Sequence, residues 1–204
     1  MKIAILVEGK TELAFKPYLR KFLETHLHDI MPDLDFHPYN GRIPKYGKLK
    51  RIVENHLNCK NPADHIIALT DVYTGTNPPD FLDSADAKEK MREWVGTEDR
   101  FHPHTAQHDF EAWLLPYWST VQKLAGHNKT APRGAPESIN HNKPPSVHLN
   151  EMFINGKYRK NYNKPRDAGR ILRDNDLSVA VDRCPELKSF INTILELCNV
   201  TKIP

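Results

Sequence analysis

Ile3-Ala4-Ile5-Leu6-Val7-Glu8-Gly9-Lys10-Thr11-Glu12 joins a five-residue apolar run to an acidic residue and a helix-start signal. His65-Ile66-Ile67-Ala68-Leu69-Thr70-Asp71-Val72-Tyr73 repeats the arrangement, an apolar run ending on an acid. Short apolar runs bounded by turn signals and alternating with helical patterns read as buried parallel strands. Ligands of such sheets gather beyond the carboxyl ends of the strands. The fold class expected is therefore α/β, a Rossmann-like, largely parallel sheet flanked by helices. If both strands belong to it, Glu8 and Asp71 face each other.

Between these strands the spacing predicts a helix capped by Thr11, with Leu13, Phe15, Leu19, Phe22, Leu23 and Leu27 at helical intervals. A strand near Leu34 to His37 and a helix from about Lys48 to Leu57 complete a β-α-β-α unit. Thr74-Gly75-Thr76-Asn77-Pro78-Pro79 reads as a loop at the same sheet edge. Ser84 is expected to cap a helix running to about Val95, and a strand from Phe101 to Gln107 leads into His108-Asp109-Phe110-Glu111. From Ala125 to Pro165 the chain is rich in Asn, Pro, Gly, Lys and His, and reads as a long functional or mobile excursion. Its apolar island is Val147, Leu149, Met152, Phe153 and Ile154. Helical patterns follow over Arg166 to Leu172, Leu177 to Val181 and Glu186 to Leu197, with Pro185 placed for a helix start. The organisation expected is a metal-binding core over 1–118, with the basic excursion and C-terminal helices of 119–204 packed on it as a helical extension.

The 204 residues suffice for a well-buried core. The longest apolar run is far short of a membrane span, and Glu8 follows the first run too soon for a signal peptide. A cytoplasmic protein with no membrane partner is expected. Cys59, Cys184 and Cys198 form no close CxxC pair, so reduced, mostly packed cysteines are expected. Net charge is only +3, but Ser119 to Arg170 holds ten Lys/Arg against three Asp/Glu, a balance of +7 that leaves −4 elsewhere. A basic tract beside an acidic cluster suits a metal-dependent enzyme acting on a polyanion, because the cations hold phosphates that carboxylates would repel. A solvated basic loop is the competing reading.

Gly9-Lys10-Thr11 has the ending of a phosphate-binding loop, but Ala4 stands where that loop needs its first glycine. What remains is a helix start that favours a phosphate oxygen, with Lys10 as a point charge. The carboxylates say more. Mg²⁺ or Mn²⁺ takes oxygen ligands, keeps waters and shares the substrate's phosphate, so two or three converging acids suffice. Glu8, Asp71 and Glu111 fit that demand, with Glu12 one helical turn from Glu8; cap and turn roles are the alternatives. His102, His104 and His108 read better as the histidine-rich edge of a surface strand than as a zinc site. His108 is also placed to position a water or phosphate beside Glu111. Tyr117, Trp113 and Trp118 read as packing around a short helix. Within Tyr158-Arg159-Lys160-Asn161-Tyr162-Asn163-Lys164, at least one of Arg159, Lys160 and Lys164 is expected to meet a phosphate, whereas the tyrosines read as plain loop residues.

The strings Val7-Glu8-Gly9-Lys10-Thr11-Glu12, Asp71-Val72-Tyr73 and Gln107-His108-Asp109-Phe110-Glu111-Ala112-Trp113-Leu114-Leu115, with Lys164, Gly169 and Cys184-Pro185 near the end, together resemble the DUF4276 family. The first string is also similar to the opening of a Toprim domain, found in topoisomerases, primases and nucleases of the overcoming-lysogenization-defect type. The resemblance implies a Toprim-like fold, in which Glu8 acts near the reacting phosphate and Asp71 binds Mg²⁺. Tyr73 stands where that pattern has a second aspartate, so Glu111 completes the site or the site is weaker. It further implies a Mg²⁺-dependent (or Mn²⁺-dependent) nuclease in bacterial defence with an ATPase partner. Glu8, Asp71, Glu111 and Lys164 are then the catalytic candidates, and Lys10, His108, Lys164 and Arg166 the phosphate contacts. Two alternatives stand beside it: a non-catalytic module that binds a metal or a partner, and a hydrolase of a small phosphorylated molecule.

Overall fold

A computed structural model describes residues 1–73, 76–138 and 142–204. Four strands, β1 (Lys2–Val7), β2 (Asp33–Pro38), β3 (His65–Asp71) and β4 (Phe101–Ala106), form one parallel sheet in the order β2-β1-β3-β4. All three pairings are parallel, with Leu6 beside His37 and Ala68 and with Asp71 beside Ala106. Parallel neighbours need crossovers, supplied by α1 (Lys10–Leu27), α2 (Gly47–Asn58) and α3 (Ser84–Val95). The chain steps from β1 to one side and later crosses to β3 on the other, so the carboxyl ends of β1 and β3 flank the point where the order reverses.

Both faces of the sheet are covered, which explains the uninterrupted apolar runs. Ile3, Ile5 and Val7 face α1 and the C-terminal helices, while Ala4 and Leu6 face α2 and α3. The first of these cores also takes in Phe190, Ile191 and Leu195 of α8 (Pro185–Leu197). Successive strand residues point to opposite faces, so one run fills two cores.

Several local expectations change in the structure. Gly9, not Thr11, stands at the start of α1, and the Glu12 side chain accepts a hydrogen bond from the Gly9 N–H at 3.1 Å. The helix therefore begins two residues earlier, with an acid in its first turn satisfying a free donor. At α3 the cap is Asp83, whose carboxylate accepts from Asp86 N–H at 2.9 Å; Ser84 lies inside the helix and donates to Gln107. Asp83→Ala is expected to cost about 1 kcal/mol in urea unfolding, the usual loss for a capping carboxylate.

The basic stretch is not a bare excursion. After α4 (Trp118–Ala125) it holds α5 (Pro145–Asn155), whose Leu149, Met152 and Phe153 are buried, with Val147 and Ile154 left exposed. The apolar island was spaced for a helix face, and its burial comes from helices distant in sequence. Two further helices, α6 (Lys164–Arg173) and α7 (Ser178–Arg183), precede α8. Of the loop expected after Asp71, Thr74 and Gly75 lie outside the described residues. Cys184 and Cys198 are buried as expected, but Cys59 is exposed. β4 is an edge strand, yet His104 and His108 are buried rather than on its surface. His104 hydrogen-bonds Thr193 of α8 at 2.9 Å, and burial pushes its imidazole down to about 3. No helix among the described residues is long and apolar enough to cross a membrane.

Candidate functional site

Glu8 leaves the end of β1 and Asp71 ends β3, and the two meet across the reversal point. Glu8 Oε1 accepts from the Asp71 N–H at 3.2 Å and from the Thr70 hydroxyl. Asp71 Oδ1 in turn accepts from the Phe110 N–H at 3.0 Å, which ties β3 to the segment leaving β4. That segment turns sharply at His108, whose φ is 68°, a left-handed conformation uncommon outside glycine. The turn brings Asp109, Phe110 and Glu111 back over the strand ends, where residues 110–117 form a 3-10 helix. His108 thus contributes a backbone bend, and its side chain is buried, only 6% exposed.

Five carboxylates share this edge: Glu8, Glu12, Asp71, Asp109 and Glu111. Their electrostatics show how closely they are grouped. Burial, then the charges of Glu8, Glu12, Asp109 and Glu111, raises Asp71 well above the ordinary carboxylate range. Burial, partly offset by the Thr70 hydrogen bond and reinforced by Glu12, raises Glu8 to about 7. Burial and the Asp109 charge raise Glu111 to about 7, although Lys164 opposes them. Glu12 and Asp109 are raised as well, chiefly by burial.

An ammonium enters the group. Lys164, the first residue of α6, lies 3.0 Å from Glu111 Oε2, with its side chain 48% exposed while Glu111 is fully buried. Burial works against the Lys164 charge, but Glu111, Asp71 and Asp109 outweigh it and raise its pKa. Asp109 Oδ2 accepts from Ser146 N–H at 3.1 Å. Asp109 Oδ1 and Glu111 Oε1 are buried without a hydrogen-bond partner.

An all-oxygen, surplus-negative set with two orphaned buried oxygens fits a hard divalent cation in donor chemistry. The arrangement is not a closed cage: among the described residues no three His, Cys, Asp or Glu are disposed to hold a metal ion as they stand. Backbone N–H groups and Lys164 hold the carboxylates instead.

The remaining candidates are dispersed. Lys10 is exposed at the first residue of α1, beside Glu8 and Glu12 in sequence. Arg166 lies on α6, but its guanidinium is held by Asp167 at 2.9 and 2.8 Å, a pairing between neighbours that spacing did not suggest. Two further participants were not anticipated. Asp109, present in the sequence reading only as part of the string after the fourth strand, becomes a member of the group. Arg42, from the loop after β2, shares a narrow cleft with Glu8 and Thr70 and pairs with Asp80 at 3.2 Å. Only its proximity to a Gly-containing turn could have drawn attention to it.

A family model described as a domain of unknown function, DUF4276, matches residues 7–195. Among solved structures, the C-terminal region of the Burkholderia pseudomallei OLD protein aligns with a TM-score of 0.55 at 13% identity, covering 97% of this chain and 98% of that one. The C-terminal region of the Xanthomonas campestris pv. campestris OLD protein aligns at 14% identity over 96% and 97% of the two chains, with a TM-score of 0.42. No curated protein matches. At 13% identity the first likeness establishes a shared fold.

Proposed function

This chain belongs to the DUF4276 family, and from that premise we propose that it is a Toprim-like, divalent-cation-dependent phosphodiesterase acting on nucleic acid. The observation that carries the reading is the group of five mutually repelling carboxylates at the sheet's reversal point, answered by the ammonium of Lys164. Glu8, Asp71 and Glu111 would hold the ion, with Glu12 behind them. Bound there, Mg²⁺ or Mn²⁺ would supply positive charge to the phosphate oxygens and acidify a water.

The chain's own groups do the rest. Glu8 is alternatively the general base: where it does not ligate the ion, its carboxyl, raised to about 7 by burial, takes a proton near neutral pH, with Thr70 and the Asp71 N–H fixing its orientation. Lys164 keeps Glu111 in place and is exposed enough to reach a phosphate oxygen. Lys10, exposed at the start of α1, is a further cation at this edge. The fold shared with the C-terminal region of the Burkholderia pseudomallei OLD protein is compatible with the further reading of a role in bacterial defence beside an ATPase partner.

The test is cleavage of labelled single- and double-stranded DNA and RNA with Mg²⁺ or Mn²⁺, beside Glu8→Gln. Metal-dependent cleavage lost in the variant is the expected result; cleavage unaffected by Glu8→Gln, or none on any polymer, overturns it. Two observations favour a second reading, a non-catalytic module that holds a metal or a basic partner. Tyr73, 39% exposed, stands where the Toprim pattern has an acid, and backbone N–H groups already occupy an oxygen of Asp71 and of Glu12. Calorimetric cation binding that requires Asp71, without turnover, would select it.

A further inference from the structure

A second concavity lies among the helices that follow the sheet. A cavity of about 360 Å³ opens between the end of α4, Phe153 of α5 and the side of α6. That size is at the lower end of the range for small-molecule sites. Leu124, Ala125 and Phe153 give it apolar walls, and the cationic side chains of Lys160, Arg166 and Arg170 complete its lining. Tyr158, 63% exposed, also lines it.

Two of these cations are held by a buried acid. Asp167 is fully buried, and its carboxylate accepts from Asn163 N–H at 2.8 Å, from Arg166 at 2.9 and 2.8 Å and from Arg170 at 3.4 Å. One negative charge thus anchors two guanidiniums and leaves one positive charge unbalanced. Lys160, exposed and without an ion pair among the described residues, adds another. Guanidiniums fixed by a buried acid lose little freedom on meeting a ligand, and their planar fork matches a phosphate.

The two halves of the cavity ask for different chemistry in one molecule. A bare anion would leave the apolar walls wet, and a purely apolar ligand would leave the surplus positive charge of Arg166, Arg170 and Lys160 unanswered. A flat ring carrying a phosphate satisfies both. We infer that this cavity is a nucleotide site, taking a base against Phe153 and Leu124, with Tyr158 available to stack, and a phosphate on Arg166, Arg170 and Lys160. The nucleotide can be free or an unpaired residue of a strand. The inference uses none of the carboxylates and does not rest on the phosphodiesterase reading.

The test is calorimetric titration of the whole chain, without added metal, with 2′-deoxyadenosine 5′-monophosphate, inorganic phosphate, deoxyadenosine and a short single-stranded oligodeoxyadenylate. The monophosphate is expected to bind at least about tenfold tighter than phosphate or the nucleoside. The double variant Lys160→Ala/Arg170→Gln is expected to weaken it by about tenfold or more. That variant leaves Asp167 bonded to Arg166 and Asn163, so α6 keeps its anchor. Tyr158→Ala, at an exposed position, should weaken the monophosphate but not phosphate. Tighter binding of the oligonucleotide through the same residues makes a strand the source; equal or weaker binding makes it a free nucleotide. A monophosphate bound no better than phosphate, or bound equally by the double variant, overturns the site. Because no cleavage is read, failure here leaves the carboxylate edge untouched, and the reverse also holds.

Discussion

Asp71→Asn is expected to lower divalent-cation-dependent cleavage by about a thousandfold or more while making the metal-free protein more stable. The two effects share one cause. Asp71 is the member of the acidic group on which burial and the charges of Glu8, Glu12, Asp109 and Glu111 all converge. Asparagine keeps an oxygen for the Phe110 N–H, now 3.0 Å from Asp71 Oδ1, and removes the cost of holding a carboxyl there, which burial and the other four acids force to take up a proton on folding. The fold therefore gains, and the site loses the ligand at its centre. Thermal unfolding without metal, paired with single-turnover cleavage in Mn²⁺, reads both. A variant that loses cleavage because it unfolds would contradict the assignment of Asp71 to a functional rather than structural role, as would one that cleaves normally.

Between about pH 5 and pH 8 the metal-free wild type is expected to lose about 2–3 kcal/mol of stability relative to Glu8→Gln, or roughly 5–10 °C in Tm. Glu8 is raised by burial to about 7 in the folded protein, against about 4.5 when unfolded. Over that interval the folded state holds a proton that the unfolded state has released. The stabilisation is thus complete below about 4.5 and lost as pH rises through about 7. His104 acts in the opposite sense, since its folded value of about 3 lies far below the ordinary histidine value. Its effect is present in both proteins and cancels in the comparison. Mn²⁺ should restore the wild type at the alkaline end and leave Glu8→Gln less affected, because ionised carboxylates are what a hard cation binds. Parallel melting curves for the two proteins across the range would sink the idea that Glu8 is buried among like charges.

The pairing of Glu8 with Asp71 was legible because its determinants are local. A buried parallel strand must be an apolar run, and the residue that ends it falls at the sheet's carboxyl edge whatever the rest of the chain does. Lys164 could be named from its place in a basic tract, though not its attachment to Glu111, 53 positions earlier. Arg166 was assigned to phosphate for its charge, and what the spacing could not express is that a buried Asp167 holds it together with Arg170. His104 shows the same limit from the other side. Its strand alternation was consistent with a surface edge until α8 covered it.

The sequence by itself determined the alternation of strands and helices, their approximate bounds, and the delivery of Glu8 and Asp71 to strand ends, because these follow from apolar periodicity and turn chemistry within a few residues. Only the tertiary structure decided that Asp109 joins them, that the island of Leu149, Met152 and Phe153 is core rather than loop, and that Lys160, Arg166 and Arg170 ring an apolar cavity. Those outcomes depend on which distant surfaces exclude water together, and on how a buried charge finds its partners, neither of which a local pattern encodes.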